Sequence, residues 1–161
     1  MFCKTYHATH PDMMECTTND ELRDRYLVGG MFEAGKVNLN YSHNERFIIG
    51  GAVPGDSPIS LPLQAEPASA AGHTLLERRE MAAVNIGGAG AITVDGQRFE
   101  MCNKDCLYIP MGSQEVAFEG LGARFYLAST PAHKALSIKH ITLAQANPLA
   151  KGDLQIGRAH V

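Results

Sequence analysis

The 161 residues, 45% hydrophobic and 19% charged, suffice for one domain with an apolar core and fall short of two. A formal charge of −3, with 14 basic residues scattered along the chain, excludes the electrostatic footprint of a nucleic-acid binder. No apolar run approaches the ~18 residues of a membrane span and the N-terminus lacks a signal or transit profile, so a cytoplasmic protein acting on small molecules is expected.

Near the start, His7, His10, Asp12 and Glu15 cluster by sequence alone and read as the surface of a chain end. Thr18 followed by Glu21 is a capping box, which predicts a short helix running to Tyr26 and stopped by Gly29-Gly30. From Lys36 the pattern changes to period two: Val37, Leu39 and Tyr41 alternate with Lys36, Asn38 and Asn40, and the apolar run Phe47, Ile48, Ile49 closes at Gly50-Gly51. Both segments predict strands. Residues 52–72 carry four prolines and little periodicity, the mark of a long surface loop around at most one edge strand.

Between His73 and Ser129 strand signals recur as HTLLERRE, MAAVNIGG, GAITVDG, QRFEM, DCLYIP, EVAFE and ARFYLAS. Asp95-Gly96 supplies the pair that a type I′ hairpin prefers, because both central residues need positive φ. Gly87-Gly88-Ala89-Gly90 is no phosphate loop, since strand periodicity and not a helix follows it; it reads as a tight turn. Thr142 with Gln145 predicts one helical turn, stopped at Asn147-Pro148. The pattern predicts an antiparallel sandwich or barrel that buries Ile48, Ile49, Val84, Ile86, Ile92, Val94, Leu107, Ile109, Phe118, Phe125 and Leu127.

The four cysteines, Cys3, Cys16, Cys102 and Cys106, form no CxxC pair and are expected as reduced thiols. Cys102 and Cys106 lie four apart in a segment that reads as strand, so they would share a face. A two-cysteine metal site is open to such a pair, and small buried hydrophobes are the preferred reading.

The frame from His73 to Glu115 resembles that of the cupins, small jelly-roll barrels that hold a metal through three histidines and a glutamate. Alternate residues of a strand point the same way, so an H-x-H pair brings two imidazoles to one interior point. The first cupin motif is spaced G-x5-H-x-H-x4-E-x6-G. Here Glu80 and Gly87 match its end, which puts His73 and Leu75 at the histidine stations. In the second motif, G-x5-P-x-G-x2-H, Pro110 and Gly112 are present, Lys104 replaces the leading glycine and Glu115 the histidine. His73, Glu80 and Glu115 are the ligand set open to a hard divalent ion, with Leu75 vacant. An apolar Leu75, and Arg78 and Arg79 ready to pair with Glu77, Glu80 or Glu115, favour a barrel kept for its shape. No catalytic, cofactor-binding or metal-binding residue is therefore expected in this chain.

Longer strings are more specific. YSHNERFIIGG at 41–51, LERRE at 76–80, NIGGAGAITVDGQ at 85–97, DCLYIPMGSQEVAF at 105–118 and ARFYLASTPAH at 123–133 resemble the 5-keto-4-deoxyuronate isomerases in order and spacing. The resemblance implies a two-cupin protein of nearly twice this length, a homo-oligomer of pectin and uronate catabolism. It implies interconversion of 5-dehydro-4-deoxy-D-glucuronate, a small sugar acid, with 3-deoxy-D-glycero-2,5-hexodiulosonate by proton transfer through an enediol. The family's assisting metal is zinc, held by residues of the second cupin that have no counterpart here. Within the strings, Arg46, Arg78 or Arg79 could clamp a carboxylate, and His43 is a further polar residue; ion pairs with Glu45, Glu77 and Glu80 are the preferred reading.

The resulting expectation is an all-β chain: an N-terminal arm with a short helix over 1–35, a degenerate N-terminal cupin-type jelly-roll barrel over 36–141, and the start of a linker to a second cupin over 142–155. The last six residues, IGRAHV at 156–161, resemble a reading frame of a sequencing adapter and are expected to be a non-native tail. The chain reads as a C-terminally truncated fragment, inactive by itself. The alternatives are a non-catalytic sugar-binding or scaffold cupin and an enzyme resembling 5-deoxyglucuronate isomerase.

Overall fold

Alternation along the sequence becomes alternation of faces in the computed structural model, which describes residues 1–147. In chain order the elements are β1 (Phe2–Tyr6), α1 (Asn19–Tyr26), β2 (Lys36–Ser42), β3 (Phe47–Val53), β4 (Ile59–Ser60), β5 (Arg79–Asn85) and β6 (Gly90–Val94). They continue with β7 (Gln97–Met101), β8 (Cys106–Ile109), β9 (Val116–Glu119), β10 (Phe125–Pro131) and β11 (Lys139–Ile141).

Strands β3-β10-β5-β8 and β4-β9-β6-β7 form two sheets with antiparallel neighbours throughout. Eight strands interleaved between two sheets in this order make a jelly roll, so the fold is all-β and cupin-type with one short helix. The first sheet gains β2 and β1 on one edge and β11 on the other.

The core lies between the sheets. Ile48, Met81, Leu107 and Leu127 from one meet Ile92, Val94, Val116 and Phe118 from the other. Phe118 and Phe125 touch with ring centroids 5.4 Å apart, both fully buried. A side chain of this size contributes up to about 3 kcal/mol on burial. The hairpin after β6 is as expected: Val94 pairs with Gln97, and Asp95 and Gly96 have φ of 48° and 83°.

Several expectations need correction. HTLLERRE is strand only from Arg79; residues 73–78 form turns, and Leu75 and Leu76 are buried there. Ile86 is 47% exposed because β5 ends at Asn85, and Ile49 and Val84 are only half-buried, lying on the outer face of their sheet. A turn at Asn103-Lys104 separates Cys102 from β8, so Cys102, exposed, and Cys106, half-buried, share no strand face. Lys104, at the station of the motif's leading glycine, holds a left-handed backbone with φ 71°. Helix α1 has the expected capping box and runs to Tyr26 as expected; only its stop differs, at Leu27, which turns extended ahead of the two glycines.

The N-terminus is also more ordered than a chain end implies. Residues 2–6 pair parallel to β2. The opposite face of β2 is covered too: Asn38 and Asn40 are buried, and Asn38 Nδ2 donates to Gly30 O at 3.2 Å. One helical turn follows Thr142, where Gln145 and Ala146 N–H both donate to Thr142 O at 3.0 Å. The reading of Pro148 as its stop, the rest of the linker and the tail at 156–161 lie outside the described residues.

Candidate functional site

Strand β5 presents Arg79, Met81, Ala83 and Asn85 to the interior, and Glu80, Ala82 and Val84 to the outside. The inward station at the open end of this strand is therefore filled by Arg79, one residue from the position the cupin spacing gives to glutamate. Arg79 is 4% exposed.

Its hydrogen bonds fix it. Nε–H donates to Ser129 Oγ at 3.1 Å, and Nη2–H donates to Ser129 O at 2.9 Å and to Arg46 O at 2.6 Å. Ser129 is placed by the period-two pattern of β10, in which Phe125, Leu127 and Ser129 face inward. Arg46 closes the turn between β2 and β3, where Glu45 and Arg46 hold φ of 56° and 53°. Left-handed backbone costs a non-glycine residue roughly 1–2 kcal/mol, so strain is retained where a carbonyl is turned toward Arg79.

Around Arg79 lies a cleft of about 290 Å³ whose polar lining includes Tyr41, Arg46, Gln64, His73, Glu77 and Arg78, with Pro67, Ala70 and Pro131 as apolar walls. Burial lowers the Arg79 guanidinium to about 10, with Tyr41 opposing that shift and the Arg46 charge adding to it. Arg79 stays charged at neutral pH. Among the described residues none of Arg46, Arg78 and Arg79 pairs with a carboxylate, so the expected ion pairs with Glu45, Glu77 and Glu80 do not form.

The spacing-derived ligand set is dispersed. His73 is exposed and its Nδ1 lies 2.7 Å from Glu77 Oε2. Glu80 faces outward and accepts from Tyr108 Oη at 2.6 Å. Glu115 is exposed, and its N–H donates to Asp95 Oδ1 at 2.8 Å. Leu75 is buried in the core. Among the described residues no three His, Cys, Asp or Glu side chains gather as a metal would need. With a guanidinium at the inward station and a leucine in the core, the donor set here does not fit a metal ion.

His43 is exposed and stacks on His7 at 4.6 Å between centroids, edge-on to Tyr41 at 5.1 Å. Sequence reasoning missed Tyr41 and Ser129 as site residues. The signal for Ser129 was a polar side chain at an inward strand position.

The model of the KduI/IolB family matches residues 28–159. Relatives named 4-deoxy-L-threo-5-hexosulose-uronate ketol-isomerase include those of Formosa agariphila, 37% identical over 92% of this chain and 54% of the relative, and Cereibacter sphaeroides, 40% identical over 91% and 52%. That of Agrobacterium fabrum is 36% identical over 92% and 53%. The chain thus spans about half the length of the curated relatives it matches. Among solved structures, an IolB-like protein of Salmonella typhimurium LT2 aligns over 62% of this chain and 36% of its own, at 14% identity and a TM-score of 0.44. An RmlC-like cupin of Desulfovibrio desulfuricans aligns over 66% and 92%, at 14% identity and 0.43. By the extent of the family match, this chain belongs to the KduI/IolB family.

Proposed function

We propose that this chain is the metal-free half of a two-cupin ketol-isomerase that interconverts 5-dehydro-4-deoxy-D-glucuronate and 3-deoxy-D-glycero-2,5-hexodiulosonate, and that alone it does not turn the substrate over. The supporting observation is 36–40% identity to ketol-isomerases across nine-tenths of the chain and about half of each relative. In this reading zinc and its ligands belong to the other half. Moving a proton between adjacent carbons requires the developing enediolate to be stabilised, an effect worth several kcal/mol of barrier. At the open end of this jelly roll the inward cation is bound to Ser129 and Arg46, and Glu77, the carboxylate among the described residues that line the cleft, is engaged with His73. No proton-transfer step is placed on these residues.

The proposal includes a cytoplasmic homo-oligomer serving breakdown of pectin-type uronates. Leu63, Leu121 and Leu136 are each more than half exposed, which favours their burial against the second half or another subunit. The test is to fuse this chain to the second half of the Agrobacterium fabrum relative and to assay the chimera, this chain and that half separately with zinc. Turnover by the chimera and none by this chain is expected. Turnover by this chain alone, or a folded, zinc-loaded chimera without activity, would overturn the reading.

A further inference from the structure

An arginine as buried as Arg79 normally lies against a carboxylate, because an uncompensated charge out of water is costly. Here three of its contacts are neutral oxygens, from Ser129 Oγ, Ser129 O and Arg46 O. Its Nη1 has no hydrogen-bond partner among the described residues, and it is not among the fully enclosed atoms left unpaired. That nitrogen therefore opens onto the cleft that Arg79 lines.

A second group is in the same position. Tyr41 is 1% exposed and lines the cleft, and its hydroxyl finds no protein partner among the described residues, unlike Tyr6 and Tyr108, whose hydroxyls are both bonded. Arg46 and Arg78 stand at the rim with no carboxylate partner among the described residues, which favours a positive field inside the cleft. Among the described lining residues, Glu77 alone opposes it, from its exposed pair with His73.

We propose that this cleft is a binding site for a small hydroxylated carboxylate, with Arg79 Nη1 as the buried anchor, Tyr41 Oη as a second donor and Arg46 or Arg78 closing from the rim. A planar guanidinium with a free edge matches a carboxylate, and the charge-assisted bond is stronger inside a cleft than at a surface. Gln64 and the His73–Glu77 pair face the same space and offer donors and acceptors for hydroxyls. A hexuronate is of a size to occupy about 290 Å³. That the ligand is a sugar acid rests on the isomerase reading; the anion-binding chemistry does not. In effect, a fixed side-chain cation stands one residue from the station that the cupin spacing gives to a ligating glutamate.

The experiment is titration of the isotope-labelled chain with D-galacturonate, D-galactose and inorganic phosphate, followed by amide and arginine side-chain NMR. D-Galacturonate should shift the Arg79 Nε–H and the backbone at 41, 46 and 78, binding at least about tenfold tighter than D-galactose or phosphate. Arg79→Gln should abolish this preference, and Tyr41→Phe, which keeps the buried ring, should weaken binding about fivefold. The free spectra report whether each variant is folded. Equal affinity for galacturonate and galactose, phosphate binding as tight as galacturonate, or unchanged binding in folded Tyr41→Phe would overturn the assignment. Galacturonate binding together with an inactive chimera would leave the site standing and remove the isomerase reading.

Discussion

The Arg79 guanidinium donates twice to one residue, Ser129: from Nε to the hydroxyl oxygen at 3.1 Å and from Nη2 to the carbonyl oxygen at 2.9 Å. The pair ties the start of β5 to the end of β10, which are adjacent in the same sheet. Around these bonds the open end of the jelly roll is organised.

Because those oxygens are buried, shortening the donor leaves them unsatisfied. Arg79→Gln is expected to lower the unfolding free energy by about 1–3 kcal/mol, and Ser129→Ala by about 1 kcal/mol. Urea unfolding of both variants and the double mutant measures this. If the bonds act together, the double mutant loses less than the two single losses added.

Glu80 is the acceptor for the Tyr108 hydroxyl. Burial first, then the hydrogen bond and charge of Glu80, push the Tyr108 hydroxyl up to about 12. A raised tyrosine pKa favours the protonated form, so this contribution is intact below the unfolded value of 10.0 and is lost as pH rises towards 12. Glu80→Gln should move the titration from about 12 towards 10, which NMR of ring-labelled tyrosines resolves.

Asp105 provides an acid-sensitive clasp for β11. Burial would raise its pKa, but Leu143 and Cys102 N–H donate to Oδ1 and Oδ2, each at 2.9 Å, and with His140 they hold it below the usual 3.8. A depressed carboxylate stabilises above its unfolded value, and the contribution fades as pH falls below 3.8 through the folded value. Asp105→Asn has one acceptor oxygen where two are needed. It should cost about 1–2 kcal/mol at neutral pH, and the gap from wild type should close in acid, as pH-dependent thermal unfolding would show.

Gly51 is where Met31 and Phe32 press on the sheet. A Cβ there would stand 2.7 Å from both Met31 O and the Phe32 ring. Gly51→Ala is expected to cost about 1–3 kcal/mol as overpacking. Hydrogen exchange should show lost protection in the β2–β3 ladder around the Asn38–Gly51 pair, with the β6–β7 hairpin unchanged.

Much of this fold was legible because its signals are local. The capping box at Thr18, the Asp95-Gly96 hairpin and the alternation in β2, β9 and β10 each depend on residues close in sequence. Strand β1 was not legible, since FCKTY becomes a strand only by pairing with residues 39–42. The spacing from Glu80 to Gly87 left Glu80 open as an ion ligand, whereas the strand starts at Arg79 and faces Glu80 outward. The inward polar side chain at the start of this strand is thus a buried cation, Arg79. The Arg79–Ser129 pair, 50 residues apart in sequence, follows from sheet register and no local pattern reports it.

The central claim, that a guanidinium takes the inward position beside the cupin glutamate station and the residues here hold no metal, is tested most directly by elemental analysis of the natively purified chain, alongside zinc titration by calorimetry. The account predicts no stoichiometric ion, and no zinc affinity that changes in His73→Ala, Glu80→Gln or Glu115→Gln. A tightly bound ion, one per chain, released by any of those three substitutions, would contradict it.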